Sequence, residues 1–160
     1  MYTRIFHETV MGRFGIAEEN QAIVAVYLPW PVDDEIIVQD IGTETPLLEE
    51  AFRQLHEYLA GKRREFTLPL DAQGTEFRRR VWRELRNIPY GETVSYQTVA
   101  ERIGNPKAAR AVGAANGRNP IPIFIPCHRV IGASGNLVGF GGGLELKEKL
   151  LNLEKTKCGG

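Results

Sequence analysis

The chain changes its hydrophobic pattern early, and this change limits the folds that it can adopt. Alternating apolar residues come first and predict strands at Tyr2–Thr9, Arg13–Glu18 and Ala22–Leu28, with a further candidate at Ile36–Ile41. From Thr45 onwards, apolar residues recur at helical spacing instead. We therefore predict an α/β (α+β) protein in which strands and one helix precede a mostly helical part.

The length of the chain fits either one large domain or two small ones. The apolar-poor run Asp71-Ala72-Gln73-Gly74 predicts a boundary between two subdomains. This gives an N-terminal α/β subdomain at 1–72, a C-terminal subdomain at 73–156 and a tail at 157–160. The helix of the first subdomain begins where Thr45 can cap its first turn.

Four helices are predicted in the second subdomain. The first begins at Thr75 and is broken by Pro89-Tyr90-Gly91. A short helix follows at 95–103, a further helix runs from Pro106 to Asn116, and the last spans Leu144–Lys155. The second and third of these are joined by a tight, glycine-containing turn, which predicts a helix-turn-helix.

Charge is distributed unevenly although the whole chain has no net charge. Residues 1–74 hold 6 Lys/Arg and 13 Asp/Glu, a net charge of −7, whereas residues 75–120 hold 9 and 4, a net charge of +5. Residues 121–160 hold 5 and 3, a net charge of +2. A basic middle segment favours an anionic partner on that half, and solvated helix faces are the alternative explanation.

Composition also excludes several classes of protein. No apolar run approaches the ~20 residues of a membrane span, and the N-terminus lacks a basic-then-apolar signal pattern. The two cysteines, one of them Cys158 in the tail, do not make a disulfide framework. No Cys/His cluster has zinc spacing. We predict a cytoplasmic protein without a membrane segment and without a bound metal.

In the run Ile125-Pro126-Cys127-His128-Arg129-Val130, a cysteine thiol lies directly beside a histidine imidazole. A cysteine with an ordinary pKa near 8.5 is mostly an unreactive thiol at neutral pH, and a neighbouring base and cation can change that. His128 and Arg129 offer both, so Cys127 is a candidate nucleophile. The alternative is an inert core cysteine, because its flank is apolar.

Small side chains dominate the predicted helix Pro106–Asn116, in which Lys107 and Arg110 stay long. An ordinary helix is about 10–12 Å wide and the DNA minor groove only about 6 Å. A helix reduced to Ala and Gly can approach a widened minor groove, and one long cation can then enter the base stack. Close packing on a neighbouring helix is the alternative reason for the small residues.

The last helix places Glu154 between Leu150 and Leu151 on the helical wheel, on an apolar face. A carboxylate in such a place needs a partner. His128 is one candidate and would complete a Cys-His-Glu relay. A pair with Lys147, or a frayed helix end, is the other explanation.

Four segments, taken together, resemble the 6-O-alkylguanine-DNA alkyltransferases, also called methylated-DNA–protein-cysteine methyltransferases. They are Val94-Ser95-Tyr96-Gln97, the run from Gly104 to Gly113, Asn119-Pro120-Ile121-Pro122 and Ile125–Val130. The similarity covers 75–155 almost continuously. It implies a winged-helix-like second subdomain, and the first subdomain more loosely resembles a ribonuclease-H-like scaffold.

The resemblance implies direct DNA repair. The alkyl group at O6 of guanine, and also at O4 of thymine, would pass irreversibly to Cys127, once per protein molecule and without a cofactor. The partner would be double-stranded DNA, contacted in the minor groove with the damaged nucleotide flipped out. The resemblance further implies a monomer, associated with the nucleoid if the source is prokaryotic.

Roles for the site residues also follow from the resemblance. His128 would be bridged by water to Cys127 and oriented by Glu154, and Asn119 would brace the active-site turn. Tyr96 would donate a proton or hydrogen bond to guanine N3. Further DNA-contacting residues would be Arg110, which fills the gap left by the flipped base, with Lys107, Tyr96, Ala109, Ala111 and Gly113. The substrate pocket would consist of Val130, Phe140, Gly141, Gly142 and Pro122.

This sequence departs from some relatives at two pocket positions, where Phe140 replaces Tyr and Gly141 replaces Ser. The zinc ligands and the extra regulatory domain of other relatives are also missing from it. Two rival functions stay open at this point. One is a catalytically silent binder of alkylated bases, a class that lacks the cysteine, and the other is a helix-turn-helix transcription regulator with a structural Cys-His pair.

Overall fold

The computed structural model describes residues 1–29, 39–132 and 143–157. A three-stranded sheet with one helix is followed by a mainly helical part, which confirms the predicted α/β class. Within the described ranges, the helices are all too short or too polar to cross a membrane.

The sheet consists of β1 (Thr3–Thr9), β2 (Gly12–Glu19) and β3 (Ala22–Tyr27), paired antiparallel in that order. These strands agree with the predicted ones to within a residue or so at each end. The candidate strand Ile36–Ile41 lies partly outside the described residues, and its last residue forms an isolated bridge to Arg4.

Helix α1 (Pro46–Leu59) covers one face of this sheet through contacts with β1 and β2. The Thr45 hydroxyl caps it by accepting a hydrogen bond from the Leu48 amide at 3.1 Å. The helical spacing predicts Leu47, Leu48, Phe52, Leu55 and Leu59 for the apolar side; Leu47 is only half-buried, and the buried apolar residues also include Ala51 and Tyr58. The full buried apolar set is Leu48, Ala51, Phe52, Leu55, Tyr58 and Leu59.

Among the described residues of the second half, most lie in four helices: α2 (Glu76–Leu85), α3 (Tyr96–Arg102), α4 (Ala109–Gly117) and α5 (Leu144–Lys157). Helix α2 packs on both α3 and α4, and α3 packs on α4. The indole N–H of Trp82 on α2 donates to a backbone carbonyl of α4 at 2.9 Å. The pair α3 and α4 forms the predicted helix-turn-helix.

The helix predicted from Pro106 begins at Ala109 instead. Gly104, with φ of 82°, ends α3 and turns the chain. The side-chain amide of Gln97 then donates to the Pro106 carbonyl at 2.7 Å, which occupies an acceptor that the first turn of a longer helix would use. Lys107 therefore lies in the turn before the helix, not on it.

The candidate site lies where the last helix meets a short crossing of the chain. Strand β4 (Val94–Ser95) pairs in parallel with β5 (Val130–Ile131), and a 3₁₀ turn at Cys127–Arg129 leads directly into β5. Helix α5 packs against that 3₁₀ turn. The predicted nucleophile and the predicted helix carboxylate are thereby brought to the same place.

Candidate active site

Cys127 occupies the first position of the 3₁₀ turn and is 3% exposed. Two asparagine side chains fasten the backbone around it. Asn116 donates from Nδ2 to the Cys127 carbonyl at 3.3 Å, and Asn119 donates from Nδ2 to the Ile125 carbonyl at 2.8 Å. The Asn119 Oδ1 atom also accepts from the Ile121 amide at 3.0 Å. One side chain thus ties both ends of the segment that precedes the cysteine.

That segment contains a conformationally unusual residue. Ile123 has φ of 76°, in the left-handed region that β-branched residues rarely adopt, and its side chain is 1% exposed. The bridge between Pro122 and Ile125 closes the same turn. Burial of the Ile123 side chain and the Asn119 hydrogen bonds hold this turn in a strained form.

Glu154 is the centre of the polar cluster beside the cysteine and is 1% exposed. Its Oε2 atom accepts from His128 Nε2 at 2.6 Å and from Arg129 Nη2 at 3.0 Å. Its Oε1 atom accepts from Arg129 Nε at 2.8 Å and from the Gly91 amide at 3.1 Å. The predicted contact between Glu154 and His128 is therefore present. The side chain of Lys147 is directed to the Val130 carbonyl, at 2.7 Å.

A tyrosine from the first half of the chain joins the same carboxylate. The Tyr58 hydroxyl on α1 donates to Glu154 Oε2 at 2.5 Å and lies 3.4 Å from His128 Nε2. Tyr58 is fully buried. Burial, followed by the charge of Glu154 and the hydrogen bond to it, raises the pKa of Tyr58 well above its ordinary value. The hydroxyl therefore stays protonated and acts as a donor to the carboxylate.

The charges of the cluster fix its protonation states. Burial alone would raise the pKa of Glu154, but the hydrogen bond from His128 and the hydrogen bonds and charge of Arg129 hold that pKa well below its ordinary value. Burial lowers the pKa of His128, against the opposing effect of Glu154. Glu154 is thus ionised and His128 is neutral at neutral pH. Because Nε2–H donates to Glu154, the unprotonated nitrogen of His128 is Nδ1.

His128 Nδ1 is buried and has no hydrogen-bond partner among the described residues. A neutral imidazole with a bare Nδ1 can accept a proton, and the donor nearest along the chain is the adjacent thiol of Cys127. Burial raises the pKa of Cys127 to about 11, while the Asn119 side chain and the charge of Lys147 lower it. The resting pair is therefore a neutral thiol beside a neutral imidazole, and ionisation requires proton transfer.

The cation that acts on the thiol differs from the one that the sequence suggested. Arg129 is bound to Glu154 and to the Ile88 carbonyl, at 2.7 Å, so its charge is directed to the carboxylate. Lys147 on α5 is fully buried and lowers the pKa of Cys127 by its charge. Neither Lys147 nor Tyr58 was predicted as a site residue. Each of them places a polar group on the buried face of an amphipathic helix, and this is the same sequence pattern that indicated Glu154.

Tyr96 lies at the start of α3 beside the cysteine. Its side chain is half-buried, and burial, followed by the negative charge that Cys127 carries when ionised, raises the pKa of its hydroxyl. It therefore keeps its proton at neutral pH. Gly113 on α4 faces the same ring, and a Cβ added there would lie 3.8 Å from it, an ordinary contact distance. Val130, predicted for the pocket, is fully buried in β5.

Helix α4 presents a nearly bare exposed face. Arg110 is exposed together with Ala111, Ala114 and Gly117, which follow helical spacing. Ala109 and Gly113 are half-buried. Because the exposed small residues face solvent, close packing on a neighbouring helix does not explain them within the described part of the chain. Phe140, Gly141 and Gly142, predicted for the pocket, lie outside the described residues.

Fold and site together define a helix-turn-helix protein with a buried cysteine-histidine-glutamate cluster. Residues 76–156 match the model of the 6-O-methylguanine DNA methyltransferase DNA-binding domain. Residues 1–72 match that of the 6-O-methylguanine DNA methyltransferase ribonuclease-like domain. The chain belongs to the 6-O-methylguanine DNA methyltransferase family.

Similar proteins extend over nearly the full chain. The constitutive methylated-DNA–protein-cysteine methyltransferase of Bacillus subtilis is 48% identical over 152 residues, which is 92% of both chains. The methylated-DNA–protein-cysteine methyltransferase of Methanosarcina acetivorans is 58% identical over 155 residues, 96% of this chain and 98% of that one.

Solved structures show the same fold. The crystal structure of Mycobacterium tuberculosis OGT in complex with DNA has 44% sequence identity and a TM-score of 0.85, and it covers 96% of this chain and 93% of that chain. The O6-methylguanine methyltransferase structure of the same organism has 43% identity and a TM-score of 0.85, covering 99% and 95%.

Proposed function

We propose that this protein repairs alkylated DNA by transferring the alkyl group at O6 of guanine to its own Cys127, irreversibly and once per molecule. The observation that supports this most strongly is the buried Cys127–His128–Glu154 cluster in a chain of this family. Transfer from O4 of thymine belongs to the same proposal, because it breaks the same kind of alkyl–oxygen bond. The chemistry needs no cofactor.

The proposed reaction uses the protonation states of the resting site. The Cys127 proton passes through one water molecule to His128 Nδ1, and Glu154 stabilises the imidazolium that forms. The thiolate attacks the alkyl carbon in line, so that a sulfur–carbon bond forms as the carbon–oxygen bond breaks. Negative charge on the leaving guanine is met by a proton or hydrogen bond from Tyr96 at N3. The thiol loses one proton and the released guanine takes up one, so the reaction balances.

Helix α4 is the proposed DNA-binding element. Its exposed face of Ala and Gly can approach the minor groove closely, and Arg110 would fill the space that the flipped nucleotide leaves. Lys107, in the turn before the helix, is exposed and can contact a phosphate. A monomer is sufficient for this arrangement, since every proposed site residue lies on one chain.

Mass spectrometry separates this proposal from its two rivals. After incubation with a duplex that contains 6-O-methylguanine, the protein should gain one methyl group, located on the peptide with Cys127. A catalytically silent binder or a transcription regulator would bind DNA and gain no mass. The variant Cys127→Ser is the control and should bind the duplex without gaining mass, because a serine hydroxyl is hardly ionised at neutral pH. An unmodified wild-type protein after prolonged incubation would contradict the proposal.

The substrate also bears on where the protein works. Chromosomal DNA as the substrate, together with a thiol that must stay reduced, supports a cytoplasmic location, with nucleoid association in a prokaryotic cell.

A further inference from the structure

We propose that Tyr58 is a positioning residue for the alkylation of Cys127, by which the N-terminal half of the chain takes part in the reaction. This inference rests on the proposed function. Among the described residues, four contribute hydrogen bonds to the Glu154 carboxylate, and Tyr58 is the one that comes from residues 1–72.

The hydroxyl of Tyr58 is buried and therefore needs a hydrogen-bond partner. The Tyr58 side chain is fully buried, and a buried hydroxyl without a hydrogen-bond partner destabilises the folded protein. A phenylalanine would fill the same place between Phe66, with ring centroids 5.3 Å apart, and Tyr90, at 6.1 Å. The oxygen is therefore not required for packing, and its polar contacts within the described part of the chain are with Glu154 and His128.

The hydroxyl of Tyr58 binds the same carboxylate oxygen as the imidazole of His128. Glu154 Oε1 is held by Arg129 and by the Gly91 amide, whereas Oε2 is the atom that accepts from His128. Tyr58 donates to this same Oε2. Among the described residues, Oε2 thus accepts from His128, from Arg129 Nη2 at 3.0 Å and from Tyr58. These three donors fix the position of that oxygen, and the oxygen in turn fixes the imidazole ring.

The consequence concerns the bare nitrogen of His128. Donation from Nε2 to a fixed Oε2 keeps Nδ1 unprotonated and keeps the ring in one orientation. Without the Tyr58 hydroxyl, only Arg129 Nη2 and His128 share Oε2 among the described residues, and the oxygen can shift toward the guanidinium of Arg129. His128 then loses part of its anionic partner, and the proton on its ring distributes between Nδ1 and Nε2. Tyr58 thus acts on Cys127 through Glu154 and His128, without touching the substrate.

The variant Tyr58→Phe tests this directly. It should lower the rate of Cys127 alkylation by about tenfold, because the imidazole that accepts the thiol proton is then less well positioned. The loss should be equal for the free base 6-O-methylguanine and for a duplex that contains it, and the affinity for undamaged duplex should not change. Tyr27→Phe is the matched control, because it removes a hydroxyl that is hydrogen-bonded to Tyr2 at 2.6 Å in the sheet. Its alkylation rate should equal that of the wild type.

Two further measurements distinguish positioning from a purely structural role. In nitrogen-15 spectra of the imidazole, the wild-type His128 should show a single tautomer protonated at Nε2, and Tyr58→Phe should show a mixture. In a double-mutant cycle, Tyr58→Phe should cost nothing further once Glu154→Gln is present, since both act through one pathway.

The outcomes are separable from those of the proposed function. A wild-type rate for Tyr58→Phe, an unchanged tautomer, or rate losses that multiply in the double variant would each overturn the role of Tyr58. Wild-type protein that gains no methyl group from any substrate would instead contradict the alkyl transfer itself.

Discussion

At the scale of single residues, the site resolves a conflict between burial and reactivity. A buried thiol and a buried imidazole are both driven to their neutral forms, as the raised pKa of Cys127 and the lowered pKa of His128 show. The ionised Glu154, neutralised by Arg129, stays beside them as a fixed acceptor. The site therefore holds an unreactive pair that becomes an ion pair by moving one proton, which protects the thiol from unrelated electrophiles.

Reaction of the free protein with iodoacetamide should reveal this protection. Because the pKa of Cys127 is raised to about 11, its alkylation should be slow at neutral pH and rise towards that value, not level off near 8.5. The rate is measured as loss of unmodified Cys127 peptide against pH. Following that peptide separately removes the contribution of Cys158. A plateau that begins near pH 8.5 would show an ordinary thiol.

Arg110→Ala should slow repair of duplex DNA by about tenfold or more and leave reaction with the free base almost unchanged. The free base needs no flipping, so it bypasses the proposed role of the one long side chain on the bare face of α4. Parallel rate measurements on the two substrates decide this. Equal losses on both would make Arg110 a structural residue.

Glu154→Gln should lower the alkylation rate and move its dependence on pH upward, since a neutral amide stabilises the imidazolium of His128 less than a carboxylate does. The rate with free 6-O-methylguanine, measured from pH 6 to 10 for both proteins, checks the shift. An inflection at the same pH in both proteins would show that Glu154 takes no part in the reaction.

Glu154→Gln should also change stability in a pH-dependent way. The pKa of Glu154 is lowered in the folded protein, so its stabilising contribution is present above about pH 4.3, its unfolded value, and is lost as pH falls below that. Leaving Arg129 without its anionic partner should cost about 3 kcal/mol at pH 7. Urea unfolding should show this loss at pH 7 and a smaller difference at pH 3. A difference that is the same at both pH values would contradict the ion pairing.

The site residues that could be predicted from the sequence are those marked by a local pattern. Adjacency singled out Cys127 and His128, and the wheel of α5 brought in Glu154. The cationic role was assigned to Arg129 by adjacency alone, whereas three-dimensional packing gives that place to Lys147. Tyr58 was missed because its contact depends on how α1 packs against α5, a relation between residues 96 positions apart that periodicity does not contain.

At the scale of elements, secondary structure was predicted well where capping and apolar period agreed. Thr45, Thr75 and Ser95 each accept a hydrogen bond from the first turn of their helices, as their residue type predicts. Helix α4 was misplaced because Pro106 is a good first residue of a helix, yet a side-chain hydrogen bond from Gln97 holds it in a turn. Such a competing tertiary bond leaves no signal in the local sequence.

The turn before Cys127 allows a prediction that reverses the usual order of Ala and Gly. Ile123 is buried with φ of 76°, so both Ile123→Ala and Ile123→Gly lose about 2–4 kcal/mol of burial. Glycine also relieves the left-handed strain, which is about 1–2 kcal/mol for other residues. Ile123→Gly should therefore be about 1 kcal/mol more stable than Ile123→Ala in urea unfolding. An alanine variant that is equally or more stable would show that the turn is not strained.

At the scale of the whole molecule, acidic and basic halves meet at the site. Residues 1–74 hold 6 Lys/Arg against 13 Asp/Glu, and residues 75–120 hold 9 against 4. The halves are joined by backbone and side-chain bonds, among them Val26 N to the Pro120 carbonyl at 2.9 Å and Tyr58 to Glu154. An anionic polymer is therefore attracted to one side of the molecule and repelled from the other, which orients it before contact.

Salt dependence tests this orientation. If Lys107 and Arg118, both exposed beside α4, each neutralise one phosphate, affinity for undamaged duplex should fall with salt at a log–log slope of about −2. Lys107→Gln should reduce the slope by about 0.9, and Lys62→Gln on the acidic half should leave it unchanged. The slope is measured by fluorescence anisotropy at a series of salt concentrations. A flat dependence, or equal effects of the two variants, would place the DNA elsewhere.

The small side chains of α4 also affect how often its backbone hydrogen bonds open to solvent. Its N-cap residue Ala108 makes no side-chain capping bond, and Gly113 and Gly117 lower its intrinsic helical preference. Its exposed amides also lack side chains to shield them. Backbone hydrogens of α4 should exchange with deuterium sooner than those of the capped and deeply packed α1, and a bound duplex should slow them. The exchange rate of the α4 amides would then report directly whether DNA is bound to this helix.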